Sequence, residues 1–280
     1  MNFKIVIPSY CRSHIICDKT LRVCCKLASI PQQLIYVFVL DCQKNSYKVE
    51  VEKRNFGDIN LISAPPEIPP GLHHMRNYIT QYFPEGEHLL HMDDDIDDIL
   101  KLYIDESIKD PKKSTRYRLF SCCNSNPLGQ GQDRQDIISI FNNAFRILQD
   151  EHIGLFGIYP VANGYFMKDL PDVTYSLRFC VGTLWGCIND HSIIIQIEEK
   201  EDVERTLLSF QKYNKILRLN NITIKTKYYK TEGGMQTESS LDKRKAAAKA
   251  SCTYLLEKYP KYTKLYTSKK SGIYEIKLSN

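Results

Sequence analysis

The chain reads as an α/β fold built on a mixed, mainly parallel sheet flanked by helices, and three observations predict it. Apolar runs of strand length alternate with segments of helical periodicity through the first hundred residues. The strand runs are apolar almost throughout, as in parallel sheets covered on both faces. Several end at Pro or Asp clusters, and a doubly wound sheet binds its ligands beyond the carboxyl ends of its strands.

Taken in order, residues 3–7 form a first strand stopped by Pro8, Ser9 and Tyr10. Residues 19–27 follow as a helix with Leu21, Cys24, Cys25 and Leu27 inward. Residues 34–40 are a nearly continuous apolar strand, and 59–62 are a third. After a Pro-rich turn over 65–71, a helix over 72–83 places Leu72, Met75, Ile79 and Tyr82/Phe83 on one stripe. Residues 88–92 then form a strand that runs into Asp93, Asp94 and Asp95.

The second half is less regular. A loop over 124–132, rich in Asn, Gly and Gln, leads to a helix over 133–150 with Ile137, Phe141, Phe145 and Leu148 on one face. Strands are expected over 155–160 and 175–181, then a loop holding Trp185, the only tryptophan, between two glycines. Another apolar strand reaches Ile197, and helices cover 198–217 and 241–258. Without repeats or a low-complexity linker, the 280 residues form one domain. Its two halves are residues 1–100 and residues 101–280.

Composition narrows the function. Ten cysteines are dispersed without any Cys-x-x-Cys pair, so they read as reduced side chains rather than a disulfide framework or a zinc site. No secretory leader and no apolar run of roughly 18 residues is present, so the expectation is a soluble cytoplasmic or nuclear protein without a membrane partner. The net charge of +5 hides an asymmetry: from residue 200 onward 18 Lys/Arg stand against 8 Asp/Glu, and before it 20 stand against 25. Residues 225–230 and 258–270 interleave lysines with tyrosines, either as a nucleic-acid footprint or as a solvated, solubilising face.

The acidic run permits two readings. Three adjacent carboxylates at the end of a buried strand call for a positive partner, and an all-oxygen site suits Mg²⁺ or Mn²⁺, whose other ligands come from water and a substrate's phosphates. Alternatively, the aspartates cap a helix carrying Ile96, Ile99, Leu100 and Tyr103 at helical spacing.

Several motifs stand in a fixed order. A first strand ending in Ile-Pro-Ser-Tyr-x-Arg (7–12) precedes Lys19-Thr20-Leu21, then Gly71-x4-Arg76-Asn77, then Asp93-Asp94-Asp95. This set resembles the nucleotide-sugar-binding half of GT-A fold glycosyltransferases, which implies that residues 1–100 bind the nucleotide sugar and 101–280 bind the acceptor. Residues 158–163, 179–186, 199–205 and Gly233-Gly234-Met235-Gln236 resemble the TET/JBP-associated group, found in phages, large DNA viruses and some eukaryotes. The resemblance implies transfer of a hexose from a UDP-sugar, UDP-glucose, to a hydroxymethylated pyrimidine such as 5-hydroxymethylcytosine in DNA. A glycan, protein or lipid acceptor is the alternative, and an inactive nucleic-acid-binding module is a third reading.

Residue roles follow from that chemistry, because the departing diphosphate gathers negative charge that cations must absorb. Asp95 and Asp93 are candidate metal ligands, Asp93 and Asp94 also facing the nucleotide sugar, and His191 is an optional ligand against an ordinary surface or core role. Arg76 either meets the diphosphate or clamps the acidic loop by pairing with Asp93 or Asp94. Pro8, Ser9, Tyr10 and Arg12 belong to the uridine pocket, Tyr10 stacking there or simply packing at the rim. Glu201 and Asp202 are candidate bases for an inverting reaction, Asp202 by resemblance; the competing reading is complementation of a helix dipole. Trp185 is either a platform for sugar or extruded base, or core. Gly233-Gly234 would hinge a lid.

Overall fold

In the computed structural model, the structure describes residues 2–123, 136–226, 241–267 and 272–279. Strand β1 (Lys4–Pro8) is followed by α1 (Ser13–Asp18), β2 (Ile35–Leu40), α2 (Lys44–Lys53), β3 (Asn60–Ala64), α3 (Leu72–Tyr82) and β4 (His88–Met92). Then come β5 (Ile96–Ile104), β6 (Tyr117–Ser121), α4 (Ile137–Asp150), β7 (Leu155–Ile158), α5 (Gly164–Met167), β8 (Val173–Thr174) and β9 (Leu184–Ile188). The chain closes with α6 (Glu201–Tyr213), β10 (Leu217–Leu219), β11 (Ile222–Thr226), α7 (Leu241–Lys258), β12 (Thr263–Thr267) and β13 (Tyr274–Leu278).

Eight strands form the central sheet in the order β3-β2-β1-β4-β9-β7-β10-β8. The pairs β3–β2, β2–β1 and β1–β4 are parallel, β9 runs antiparallel to both β4 and β7, and β10 is parallel to β7. The sheet is therefore mixed and mainly parallel, as the alternating pattern predicts. Alternation within single strands divides the core between its faces. Ile5, Ile7, Ile35, Val37 and Val39 join Ile16, Tyr47, Phe141 and Phe145 on one side. Val6, Phe38 and Leu89 meet Met75, Ile79 and Phe83 of α3 on the other.

Several expectations are corrected. Helical structure begins at Ser13 rather than 19 and ends in a π-helical turn, Arg22–Leu27. Residues 96–104 are a strand, not a helix: β11 and β6 bond to its two edges, Ile99 facing Ile224 and Lys101 facing Phe120. The aspartates thus occupy a tight turn between two strands. Residues 175–181 and 192–197 are irregular, and Trp185 lies within β9 rather than in a loop. The Asn/Gly/Gln-rich loop, Gly233-Gly234-Met235-Gln236, most of the 225–230 basic run and Lys269-Lys270 lie outside the described residues.

Candidate active site

The carboxyl ends of β1 and β4 and the start of β9 meet at one edge of the sheet, and most candidate residues gather there. The turn carrying Asp93, Asp94 and Asp95 is held by residues far away in sequence. Buried Thr20 donates its hydroxyl to the Asp93 carbonyl at 2.7 Å and accepts the Ile96 amide at 3.0 Å. The Asp93 amide donates to the Thr183 carbonyl at 2.9 Å, and Lys19 pairs with Asp97. One hydroxyl that satisfies both ends of a turn fixes where its side chains point.

Each aspartate has its own environment. Asp94 is buried and spent on the scaffold: Ser9 Oγ donates to it at 2.5 Å and Arg12 Nη1 at 2.9 Å. Burial raises its pKa although Arg12 and Ser9 oppose the shift. Ser9 Oγ also lies 2.6 Å from the Tyr47 hydroxyl, which accepts the Arg12 amide at 2.9 Å. Ser9 and Arg12 therefore brace the acidic turn, while Pro8 is buried behind them and Tyr10 is half-buried beside them. Asp95 lies 3.5 Å from Arg12 Nη1 and accepts the Thr226 hydroxyl at 3.3 Å. Asp93 keeps 29% of its side chain exposed and pairs with Arg76 Nη2 at 3.3 Å. Desolvation, with Asp95, Asp94 and Glu201 nearby, pushes its carboxyl up to about 7 against the pull of Arg76.

Arg76, buried on α3, is the clamp on the acidic loop. Its Nη2 also donates to the Gly182 carbonyl at 2.9 Å, and its Nη1 lies 3.2 Å from Glu201 Oε1. The other Glu201 oxygen accepts Arg205 Nη1 at 2.8 Å, so this buried carboxylate bridges two buried guanidiniums. Gly182 makes the approach possible, since a Cβ there would lie 2.9 Å from Glu201 Oε1. Asp202, next in sequence, is only partly buried and accepts the Gly182 amide at 3.3 Å. Desolvation and Glu201 push it up to about 6.

Two candidates are not brought to this edge as expected. Trp185 is buried, its ring 3.7 Å from His91 in parallel stacking and 3.8 Å from the Arg205 guanidinium, which makes it core rather than a platform. His191 lies beyond the end of β9, beside the start of β4; its Nε2 is 2.9 Å from the Phe83 carbonyl and its Nδ1 3.4 Å from Glu85. Since β4 separates that edge from Asp93, His191 cannot share a metal with the aspartates. Thr20 was visible only as part of a motif. Tyr47 carried no sequence signal, and Arg205 and Thr226 stood inside the 199–205 motif and the 225–230 basic run with no role of their own, because their partners lie 25 residues or more away except for the Arg205–Glu201 pair.

The donor set suits a divalent cation. Asp93 and Asp95 supply only oxygen, and the carboxyl of Asp93 is raised first by desolvation and then by its acidic neighbours, against the pull of Arg76. Among the described residues no three His, Cys, Asp or Glu side chains are grouped as a metal cluster.

No protein-family model matches the chain, and no curated protein matches it. Among solved structures it is similar to S. aureus TarS 1–349 in complex with UDP-GlcNAc, at 15% identity and a TM-score of 0.51, over 91% of this chain and 67% of that one. The fold is that of the GT-A glycosyltransferases. The same TarS fragment with UDP aligns at 16% identity and a TM-score of 0.48, over 91% of this chain and 66% of that one. Glucosyl-3-phosphoglycerate synthase from Mycobacterium tuberculosis, with Mn²⁺, UDP and glucosyl-3-phosphoglycerate, aligns at 8% and 0.48, over 99% of this chain and 87% of that one. The likeness to TarS speaks to architecture, and chemistry has to come from the site. No helix among the described residues is long and apolar enough to cross a membrane.

Proposed function

We propose that the chain is a metal-dependent glycosyltransferase that moves a hexose, glucose from UDP-glucose, onto the hydroxyl of a hydroxymethylated pyrimidine in DNA. The observation that carries the transfer chemistry is the pairing of two differently placed carboxylate sets across one sheet edge. Asp93, partly exposed, and Asp95 stand on the β4–β5 turn, and Asp202 accepts the Gly182 amide from the first turn of α6. Mn²⁺ or Mg²⁺, when bound by Asp93 and Asp95, supplies positive charge to the diphosphate leaving group. Arg76 holds Asp93 in place, and Arg12 does the same for Asp94 and Asp95. Asp202 is the general base: with its pKa near 6 it is mostly ionised at neutral pH yet basic enough to take the proton of the acceptor hydroxyl. Glu201 is held by both arginines and keeps the base helix against the donor clamp.

The DNA acceptor is supported by the motif resemblance and by the basic excess beyond residue 200. Nucleotide sugars are incubated with Mn²⁺ and hydroxymethylcytosine or hydroxymethyluracil DNA, and the digested nucleosides are weighed. A hexose adduct on the modified base is the expected result. Turnover stimulated by an oligosaccharide or peptide, but not by DNA, moves the acceptor to another class; no turnover of any donor overturns the enzyme reading.

A further inference from the structure

The surface beyond β7 has a composition the donor site does not use. Val161, Tyr165 and Phe166 are 49%, 37% and 60% exposed, in a segment that leaves β7 from the same edge as the aspartates, since β7 and β4 share a direction. The segment is firmly seated. Asn163 Oδ1 accepts the Tyr165 amide at 3.0 Å, and the Tyr159 hydroxyl donates to the Phe166 carbonyl at 3.2 Å. Gly164 lies so close to β6 that a Cβ would sit 2.5 Å from the Tyr117 carbonyl oxygen. Apolar side chains held out into solvent by a rigid backbone are a recognition feature rather than a packing accident.

Cations interleave with these rings. Lys168 Nζ lies 5.6 Å from the Tyr117 ring and 5.0 Å from the Tyr165 ring while pairing with Asp169 at 2.7 Å, and the Arg116 guanidinium is 5.9 Å from Tyr117 and 3.7 Å from Glu106. The exposed Lys109, Lys112 and Lys113 therefore carry the charge without such a partner close by among the described residues. Residues 101–118, the β5–β6 hairpin that supports the cluster, hold six Lys/Arg against three Asp/Glu. Tyr117 pairs with Ile104, eight residues along the strand that starts directly after the acidic turn. At about 3.3 Å per residue the cluster lies up to roughly 30 Å from Asp95 along β5. Only an extended acceptor reaches both places.

We propose that Tyr117, Tyr165, Phe166 and Lys168 form a docking platform for single-stranded nucleic acid, the rings stacking bases while Lys168, Arg116 and the hairpin lysines meet phosphates. This rests on the polynucleotide acceptor proposed above and extends it from the reacting base to the strand that carries it. The test is fluorescence anisotropy of a labelled DNA strand of about ten nucleotides, with wild type, Phe166→Ala and Lys168→Gln, alongside calorimetry of UDP binding to the same proteins. The expected result is wild-type binding that weakens as salt rises, about tenfold weaker in Phe166→Ala, with UDP affinity unchanged in both variants. Absence of wild-type binding, equal affinity of Phe166→Ala, or preference for phosphatidylserine vesicles or a neutral oligosaccharide over the oligonucleotide overturns the platform. UDP binding reads the donor site separately, so failure of the platform is distinguished from failure of the donor site.

Discussion

Glu201 and Asp202 are adjacent acids at the start of one helix, yet their surroundings give them opposite tasks. Removing the Glu201 charge strands two buried guanidiniums, so Glu201→Gln is expected to lower stability by about 3–5 kcal/mol, read by urea unfolding. Asp202→Asn should fold normally and lose turnover, and the wild-type rate should fall below about pH 6 as Asp202 takes up a proton. If Glu201→Gln keeps its stability, the bridge is misassigned. Asp93 sets a second pH dependence. Its folded pKa of about 7 lies above the ordinary carboxylate value near 4, so the stability it contributes is complete below about pH 4 and is lost as pH rises through 7. Asp93→Asn should therefore raise the Tm of the metal-free protein at pH 8, by about 2–4 °C for each kcal/mol recovered, while abolishing Mn²⁺-dependent turnover. An unchanged Tm contradicts the crowding of carboxylates in the turn. At this scale the aspartate triplet was legible, because like charges at the end of an apolar strand are costly without a partner. Trp185 and His191 were not, since a lone aromatic or imidazole gives no sign of the strand edge at which it sits.

Among elements, the parallel strands were legible wherever continuous apolar runs met Pro or Asp stops, and β5 was misleading for a physical reason. Only Ile96 and Ile99 of that strand reach the deep core, which mimics a helical period, while pairing with β6 and β11 settles the backbone as extended. Such pairing lies between segments over 100 residues apart for β11 and leaves no local mark. The C-terminal helix α7 shows the same limit. Its buried stripe of Ala248, Cys252, Leu255 and Tyr259 was readable as helical. Its anchor was not: fully buried Glu204 of α6 accepts the Tyr254 hydroxyl at 2.7 Å and Lys258 Nζ at 3.1 Å on one oxygen, and the Gln196 and Ile197 amides at 2.7 and 3.1 Å on the other. Glu204→Ala leaves the Gln196 and Ile197 amides without an acceptor, and Tyr254 and Lys258 without their carboxylate although Tyr254 keeps Gln196 Oε1 and Lys258 keeps the Tyr254 hydroxyl, and should cost about 3 kcal/mol. Hydrogen exchange should accelerate in α7 before it does in β1 and β4; uniform exchange across both regions contradicts a local anchor.

For the whole molecule, the basic excess of the C-terminal third is partly consumed inside the fold. Lys200 pairs with Glu275 at 2.5 Å, Lys212 with Asp190 at 2.5 Å, Lys215 with Glu151 at 2.8 Å and Lys258 with Glu204 at 3.1 Å. Asp190 and Glu151 lie outside that third, so charge counting along the sequence overstates the surface available to a polyanion. In the hairpin over 101–118, Arg116 and Arg118 are likewise paired, with Glu106 and Asp105, while Lys109, Lys112 and Lys113 stand exposed. The architecture brings the β4–β5 turn and the first turn of α6 to one edge, where the proposed function places a cation and a diphosphate. Coupling between two ligands must be reciprocal, whichever is added first. Calorimetric titration of Mn²⁺ with and without UDP, on wild type and on Asp95→Asn, measures that coupling directly. UDP should tighten Mn²⁺ binding at least about tenfold, roughly 1.4 kcal/mol of coupling, and Asp95→Asn should erase the effect. UDP binding of equal strength in Mn²⁺ and in chelator, with Asp95→Asn indistinguishable from wild type, would contradict a metal bridge between these aspartates and the sugar diphosphate.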